Sequence, residues 1–231
     1  MAVVQESTST YTGGNGDTFV LAHPTGLQAG DLMVLFVTNA LGTSVTSGWT
    51  SLFSIHQYGR LRAEYKIATA GDVSAGSTTF TRGGSHPGTY MGLLVRYSGV
   101  DGTTPIGTDI STNTTTSSFY TLTTTTITPD YADSLLVVGG YQFGNTNSDI
   151  TSATIVTDDP GLTAGADVHG NIASLDTAIG IRPETTATGT VSVTMDTSDE
   201  ISVFAFTINE SQATDIIRPP AINSTGSFMM F

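Results

Sequence analysis

The chain is 231 residues long with a formal net charge of −13 and only 7 Lys and Arg, so its surface repels a phosphate backbone and argues against direct contact with nucleic acid. Cysteine is absent, which excludes disulfides and thiolate metal sites as what holds the fold. Charged residues make up 12% while Thr occupies 42 positions, so much of the solvent face must be uncharged hydroxyl and amide side chains, as on exposed strands of adhesive or assembled proteins.

The first residues, Met1-Ala2-Val3-Val4-Gln5-Glu6, lack the basic and apolar regions of a signal peptide and read as the start of a leading arm. No stretch approaches the ~18 apolar residues of a membrane span, so a soluble, uncleaved chain is expected. The glycine-containing stretch Thr12-Gly13-Gly14-Asn15-Gly16-Asp17 follows neither phosphate-loop nor dinucleotide spacing and reads as a loop. A strand is expected over 18–22, then a turn at His23-Pro24.

Residues 31–38 carry Leu32, Val34 and Phe36 on one strand face and Met33, Leu35 and Val37 on the other. Apolar on both faces means buried on both, either as a central strand under covering loops or beneath a neighbouring subunit, and the first is preferred. Residues 49–57 and 60–68 flank Tyr58-Gly59 and form a predicted hairpin. In its second arm Leu61, Ala63, Tyr65 and Ile67 alternate with Arg60, Arg62, Glu64 and Lys66, which predicts one apolar face and one wet face.

Further strands are expected over 77–82, 90–98, 119–127, 134–143, 150–156, 171–181, 190–195 and 201–209, with Gly, Pro, Asn and Asp in nearly every gap. The Thr-rich passage 103–128 contains Phe119, Tyr120, Leu122 and Ile127 among its β-branched residues, so it belongs inside the domain as exposed strand and not as a stalk. A dozen short strands without a helix between them predict an all-β fold, an antiparallel β-sandwich or jelly roll. Its boundaries are 1–210 for a single domain and 211–231 for an extended C-terminal arm containing Pro219-Pro220 and ending Phe228-Met229-Met230-Phe231. Burying those last four side chains on a partner gains ~6–12 kcal/mol, against ~1–2 kcal/mol of backbone entropy for each residue fixed. One arm alone grips weakly; strand addition or several arms acting together make the grip useful, and folding back on its own domain is the competing reading.

The search for chemistry is mostly negative. His23, His56, His86 and His169 are scattered without metal-ligand spacing. No Gly-x-Ser-x-Gly elbow anchors a nucleophile. The adjacent acids Asp158-Asp159 and Asp199-Glu200 read as solvated turns, and Asp130, Asp133, Asp149, Asp158 and Asp159 offer calcium only a minority reading beside turn formation. No cofactor and no metal are expected. Arg60, Arg62 and Lys66, interrupted by Glu64, form a basic stripe that reads as a solvated face or as a dock for an acidic neighbour.

Five phrases occur in order: Gly30-Asp31-Leu32-Met33-Val34 with Gly48-Trp49-Thr50, then Tyr65-Lys66-Ile67-Ala68-Thr69-Ala70-Gly71-Asp72, Tyr97-Ser98-Gly99-Val100-Asp101 and Ala132-Asp133-Ser134-Leu135-Leu136-Val137. Their order resembles a widespread β-sandwich family of phage virion proteins and bacterial surface proteins, over roughly residues 30–209. The resemblance implies a structural or adhesive β-module and carries no catalytic residues. A compact β-domain with an extended arm is also the architecture of phage capsid decoration, or cement, proteins, by analogy and not by motif. The expected role is therefore a non-enzymatic virion protein, made in the host cytoplasm and placed on the outer capsid surface. Its expected partners are the major capsid protein and copies of itself, as a homotrimer. Phe228, Met229, Met230 and Phe231 are the expected anchor, with Arg60, Arg62 and Lys66 against acidic coat. The alternative is a tail-fibre or surface module that binds glycan through Trp49, Tyr58 or Tyr120; a glycan-cleaving enzyme ranks third.

Overall fold

The computed structural model describes residues 2–14, 16–38, 45–55, 61–81, 89–115, 119–143, 150–155, 162–169, 173–182, 185, 187–188 and 190–212. In chain order the elements are β1 (Val4–Gly14), β2 (Thr18–Ala22), β3 (Leu32–Val37), β4 (Thr50–Ile55), β5 (Leu61–Ile67), α1 (Ala70–Ala75), β6 (Ser77–Thr81), β7 (Thr89–Ser98), β8 (Ile106–Thr114), β9 (Phe119–Thr126), β10 (Ser134–Phe143), β11 (Ile150–Ile155), β12 (Thr163–His169), β13 (Ala173–Arg182) and β14 (Thr190–Ile208). Every pairing between them is antiparallel, so the expected all-β class and sandwich arrangement hold.

One sheet runs β1-β7-β3-β5-β4 and a second runs β12-β13-β10-β14, with β8 on the far side of β14. They face each other across a core of Leu32, Val34, Phe36, Leu93, Val95 and Tyr97 from the first and Leu135, Val137, Tyr141, Phe204, Phe206 and Ile208 from the second. Phe36 stacks on Phe204 with centroids 5.1 Å apart, and Phe53 lies 5.0 Å from the same ring. Gly139, directly opposite Phe204 on the neighbouring strand, makes room for it, since a Cβ there would sit 2.0 Å from that ring.

Among the described residues, the central strands of both sheets are covered on their outer sides as well. The β2–β6 ribbon, the turn after β2 and the turn before β4 lay Phe19, Leu21, Leu27, Trp49 and Phe80 over Met33, Leu35, Val37 and Leu94. On the other side, Val191, Val193 and Met195 from the first half of β14 pack with Leu136 and Val138 of β10. Met195 Sδ approaches within 2.7 Å of where a Cβ on Gly140 would stand, although Gly140 pairs with Val203 of the same long strand. β14 therefore serves two layers: its first half pairs with β9 and β11 in an outer layer, and its second half pairs with β10 and β8 in the core sheet. Sheets covered on both sides need strands that are apolar on both faces, and β3 is buried at every position. The central-strand reading of 31–38 is the one observed.

Several expectations are corrected. The leading arm is β1, paired with β7 from Val4 opposite Ser98 to Gly14 opposite Thr89; its Ser and Thr side chains gave no apolar alternation to reveal it. β12 and the separate β8 were likewise not singled out. Residues 190–195 and 201–209 are one strand, and Asp199 and Glu200 lie within it, opposite Phe119 and Phe143, in place of the expected turn. A six-residue helix does occur: Thr69 and Asp72 exchange side-chain bonds as a capping box, and Gly76 ends it at φ 68°. The Thr-rich passage forms β8 and β9 inside the domain, as expected. The hairpin turn Tyr58-Gly59 lies outside the described residues.

Candidate interaction surfaces

The alternating face of β5 turns its charges inward. Arg62 and Glu64 are 1% and 0% exposed and form an ion pair of 2.8 Å. The expected wet face is thus a covered one. Register explains it: Val37 is opposite Arg62 and Leu35 opposite Glu64, so these side chains share the side of the sheet covered by the β2–β6 ribbon. Glu64 Oε2 accepts the Thr46 N–H at 3.0 Å, Arg62 donates to the Thr81 carbonyl, and Thr81 N–H donates to Thr46 Oγ1 at 3.2 Å. Burial raises the Glu64 carboxyl above its ordinary value, and Arg62 offsets part of that rise. The Arg62 guanidinium is lowered by the same burial.

Two further pairs complete the covered face. Arg96 Nε donates to Asp31 at 2.6 Å and its Nη1 to the Thr25 carbonyl at 3.2 Å, while Gln28 N–H donates to the same Asp31 carboxylate. Gly26 lies beside that guanidinium at φ 76°, a left-handed conformation that favours glycine, and a Cβ there would come within 2.9 Å of Arg96 Nη1. Lys66, about one-quarter exposed, donates to Asp72 at 2.6 Å. Partial burial works to raise the Asp72 carboxyl, but hydrogen bonds from Lys66 and Thr69 outweigh it and hold it at about 2.

The described Lys and Arg are Arg62, Lys66, Arg96 and Arg182, and none is exposed; Arg182 is 1% accessible at the end of β13. The exposed charges among the described residues are acids: Glu6, Asp17, Asp109 and Asp133. Around them the surface is hydroxyl. Thr108, Thr112, Thr121, Thr123, Thr125, Thr126 and Thr190 are exposed across β8, β9 and the start of β14. Thr121 and Thr194 hydroxyls meet at 2.7 Å across strands. Side chains also stitch β8 to β9, which belong to different layers: Ser111 to Thr125 at 2.6 Å, Asn113 to the Thr123 carbonyl at 2.6 Å and the Thr128 N–H to Asp109 at 2.9 Å.

Of the residues expected to meet a partner, Arg62 is inside the fold and Lys66 is held by Asp72, so a basic stripe on open surface is not formed by them. Arg60, Phe228, Met229, Met230 and Phe231 lie outside the described residues, as do Tyr58, His56, His86, Asp149, Asp158 and Asp159. Trp49 is core, edge-on to Phe80 at 5.0 Å, which removes it as a glycan platform. The Tyr120 and His169 side chains are likewise beyond description. His23 bridges layers: its Nδ1 lies 2.8 Å from the Asp72 carbonyl and its Nε2 2.7 Å from Thr78 Oγ1. A carbonyl only accepts, so Nδ1 carries the proton. Asp130 accepts the Thr108 N–H and hydroxyl, and Asp133 turns the chain at φ 61°. Among the described residues no three His, Asp or Glu converge as metal ligands. The sequence matches no family model, and no curated protein or solved structure matches it.

Proposed function

We propose that this chain is a bacteriophage virion structural protein, a capsid decoration protein that binds the outer shell and stabilises it through subunit contacts. Its partners in this reading are the major capsid protein and further copies of itself, and its role is non-catalytic. The observation that carries the proposal is the division of charge: the described cations are paired within the fold, and the described exposed charges are all acids, set among many hydroxyls on a body of stacked sheets. Such a surface repels packaged DNA, and a body with both sheets covered is suited to standing as a rigid module on a shell.

Attachment falls to the segment 211–231. It leaves from a fixed point, because Val100 bridges Glu210 and the Ser211 N–H donates to the Gly99 carbonyl at 2.9 Å. Beyond it lies Phe228-Met229-Met230-Phe231, the longest apolar run in the segment and the one with the most apolar area to bury. Arg62 and Lys66 take no part in this attachment, since both are engaged within the domain.

Mass analysis and imaging of native particles test the role. Many copies spread over the shell support decoration; a few copies at a vertex or tail, or none, contradict it. Truncation after Ser211 is expected to abolish or sharply reduce particle binding, and unchanged occupancy removes the segment as the anchor.

A further inference from the structure

Strand β1 is the outermost strand of its sheet and, among the described residues, is bonded on one side only, to β7. It is 11 residues long, so a row of its N–H and C=O groups faces outward over the full length of the strand. Other strands at sheet margins are shorter or already engaged. β4 and β11 have 6 residues each, β12 is broken by a register shift between Ala164 and Asp167, and β8 and β9 are stitched to each other by side chains.

Edges are ordinarily guarded by Lys, Pro, bulges or cover. Val4–Gly14 contains no Lys, Arg or Pro. Its bulge lies at one end, between Gln5 and Ser7, and its charge is Glu6, bonded to Ser98 at 2.6 Å. From Ser7 to Gly14 the strand is regular and uncharged, with Thr8, Thr10 and Thr12 exposed on alternate positions. β-branched residues favour strand pairing, and Thr beside Thr stabilises it across strands.

We propose that β1 is an assembly edge whose occupant is β1 of a second copy, the two strands pairing antiparallel so that two β1-β7-β3-β5-β4 sheets become one continuous sheet. The charge distribution selects that occupant. Two copies at −13 each repel over most of their surfaces, and Ser7–Gly14 is an uncharged stretch along which they can approach. The one large side chain in this stretch, Tyr11, packs on Phe19 and Tyr90 of its own domain, so a foreign strand would find little but Ser, Thr and Gly to recognise, whereas a two-fold contact needs only that the same backbone pattern meet itself. Antiparallel pairing centred on Thr10 sets Glu6 opposite Gly14 and away from its own symmetry mate. The inference stands apart from the virion reading and holds or fails by itself. It also gives a two-fold contact, in place of the three-fold expected from sequence.

The test is the solution mass of the full chain over a range of concentration. The expected mass is twice the 24.0 kDa of one chain. Thr8→Lys with Thr10→Lys places like charges at the seam and is expected to weaken self-association at least tenfold while the β-type circular dichroism is kept. Because the chain has no cysteine, single Cys replacements at Thr8, Ser9, Thr10 and Thr12 give a second readout. Mild oxidation is expected to link two chains at one or two of these positions and not at Thr126→Cys. A wild-type mass of one chain or three chains overturns the proposal. So does a dimer that the lysines leave intact and that no β1 cysteine cross-links.

Discussion

The outward side of β5 and the outward side of β9 are both written in hydrophilic residues, and they meet opposite fates. Arg62 and Glu64 on β5 are buried, whereas Thr121, Thr123 and Thr125 on β9 are exposed. Formal charge does not decide exposure here; whether opposite charge and backbone partners are enclosed with the group does. Opposite charges two residues apart on one strand face neutralise each other, and the Thr46 and Thr81 backbones supply further partners, so the ribbon can close over them. Among the described residues nothing covers the exposed β9 threonines, and they need little, because a hydroxyl is satisfied by a neighbouring hydroxyl or by water.

Breaking the buried pair on one side is the severest perturbation of that contrast. Glu64→Leu leaves the Arg62 charge and the Thr46 N–H without their acceptor in a covered site, and is expected to cost about 3–5 kcal/mol, read from the urea midpoint. Removing both charges sharpens the point: Arg62→Met with Glu64→Leu is expected to recover most of the loss and to fall within about 1 kcal/mol of wild type, or above it. If the double variant is no better than the single, the pair is not what the cover is built around.

The half-buried pair is expected to sit between the extremes. Asp72→Asn weakens the Lys66 contact and the helix cap together, for a loss on the order of 1 kcal/mol after solvent screening. Its folded carboxyl, at about 2, lies below the ordinary 3.8. The stability it contributes is therefore present above the ordinary value and lost as pH falls toward about 2. The gap between wild type and Asp72→Asn should close over that window in acid titrations of the urea midpoint. Glu64 acts in the opposite sense: burial raises its carboxyl, so its own contribution declines as pH rises through its folded value. At the mild end, Thr123→Val on the exposed face is expected to change stability by no more than about 0.5 kcal/mol. A larger loss would show that this face is covered after all.

Those two faces also mark how far the sequence could be read. Strands buried on both sides declare themselves, as β3 does with Leu32-Met33-Val34-Leu35-Phe36-Val37, because no other short element needs apolar residues at every position. β1 stayed hidden since it is held to β7 largely through its backbone, and Ser-Thr-Ser-Thr carries no periodic apolar signal. The union of 190–195 with 201–209 is obscured by the polar run Asp196-Thr197-Ser198-Asp199-Glu200, which has turn composition while pairing resumes at its last two residues. For the interaction surfaces, alternation of Arg62, Glu64 and Lys66 suggested water on that side. The signal against it was present in the Arg-x-Glu spacing and in Met33, Leu35 and Val37 on the neighbouring strand, whose second apolar face had to be covered by something. Trp49, a glycan platform only in the alternative reading and otherwise the core residue that a lone Trp in a sandwich usually is, belongs to the cover over that face together with Phe80.

The most direct measurement is a double-mutant cycle on Arg62 and Glu64, using Arg62→Met and Glu64→Leu, at low and at high salt. A buried, closed pair predicts a coupling of at least about 2 kcal/mol that changes little with salt. A coupling below about 0.5 kcal/mol that fades as salt is added is the behaviour of an exposed pair, and would contradict the account that Arg62 and Glu64 are enclosed as a pair within the fold.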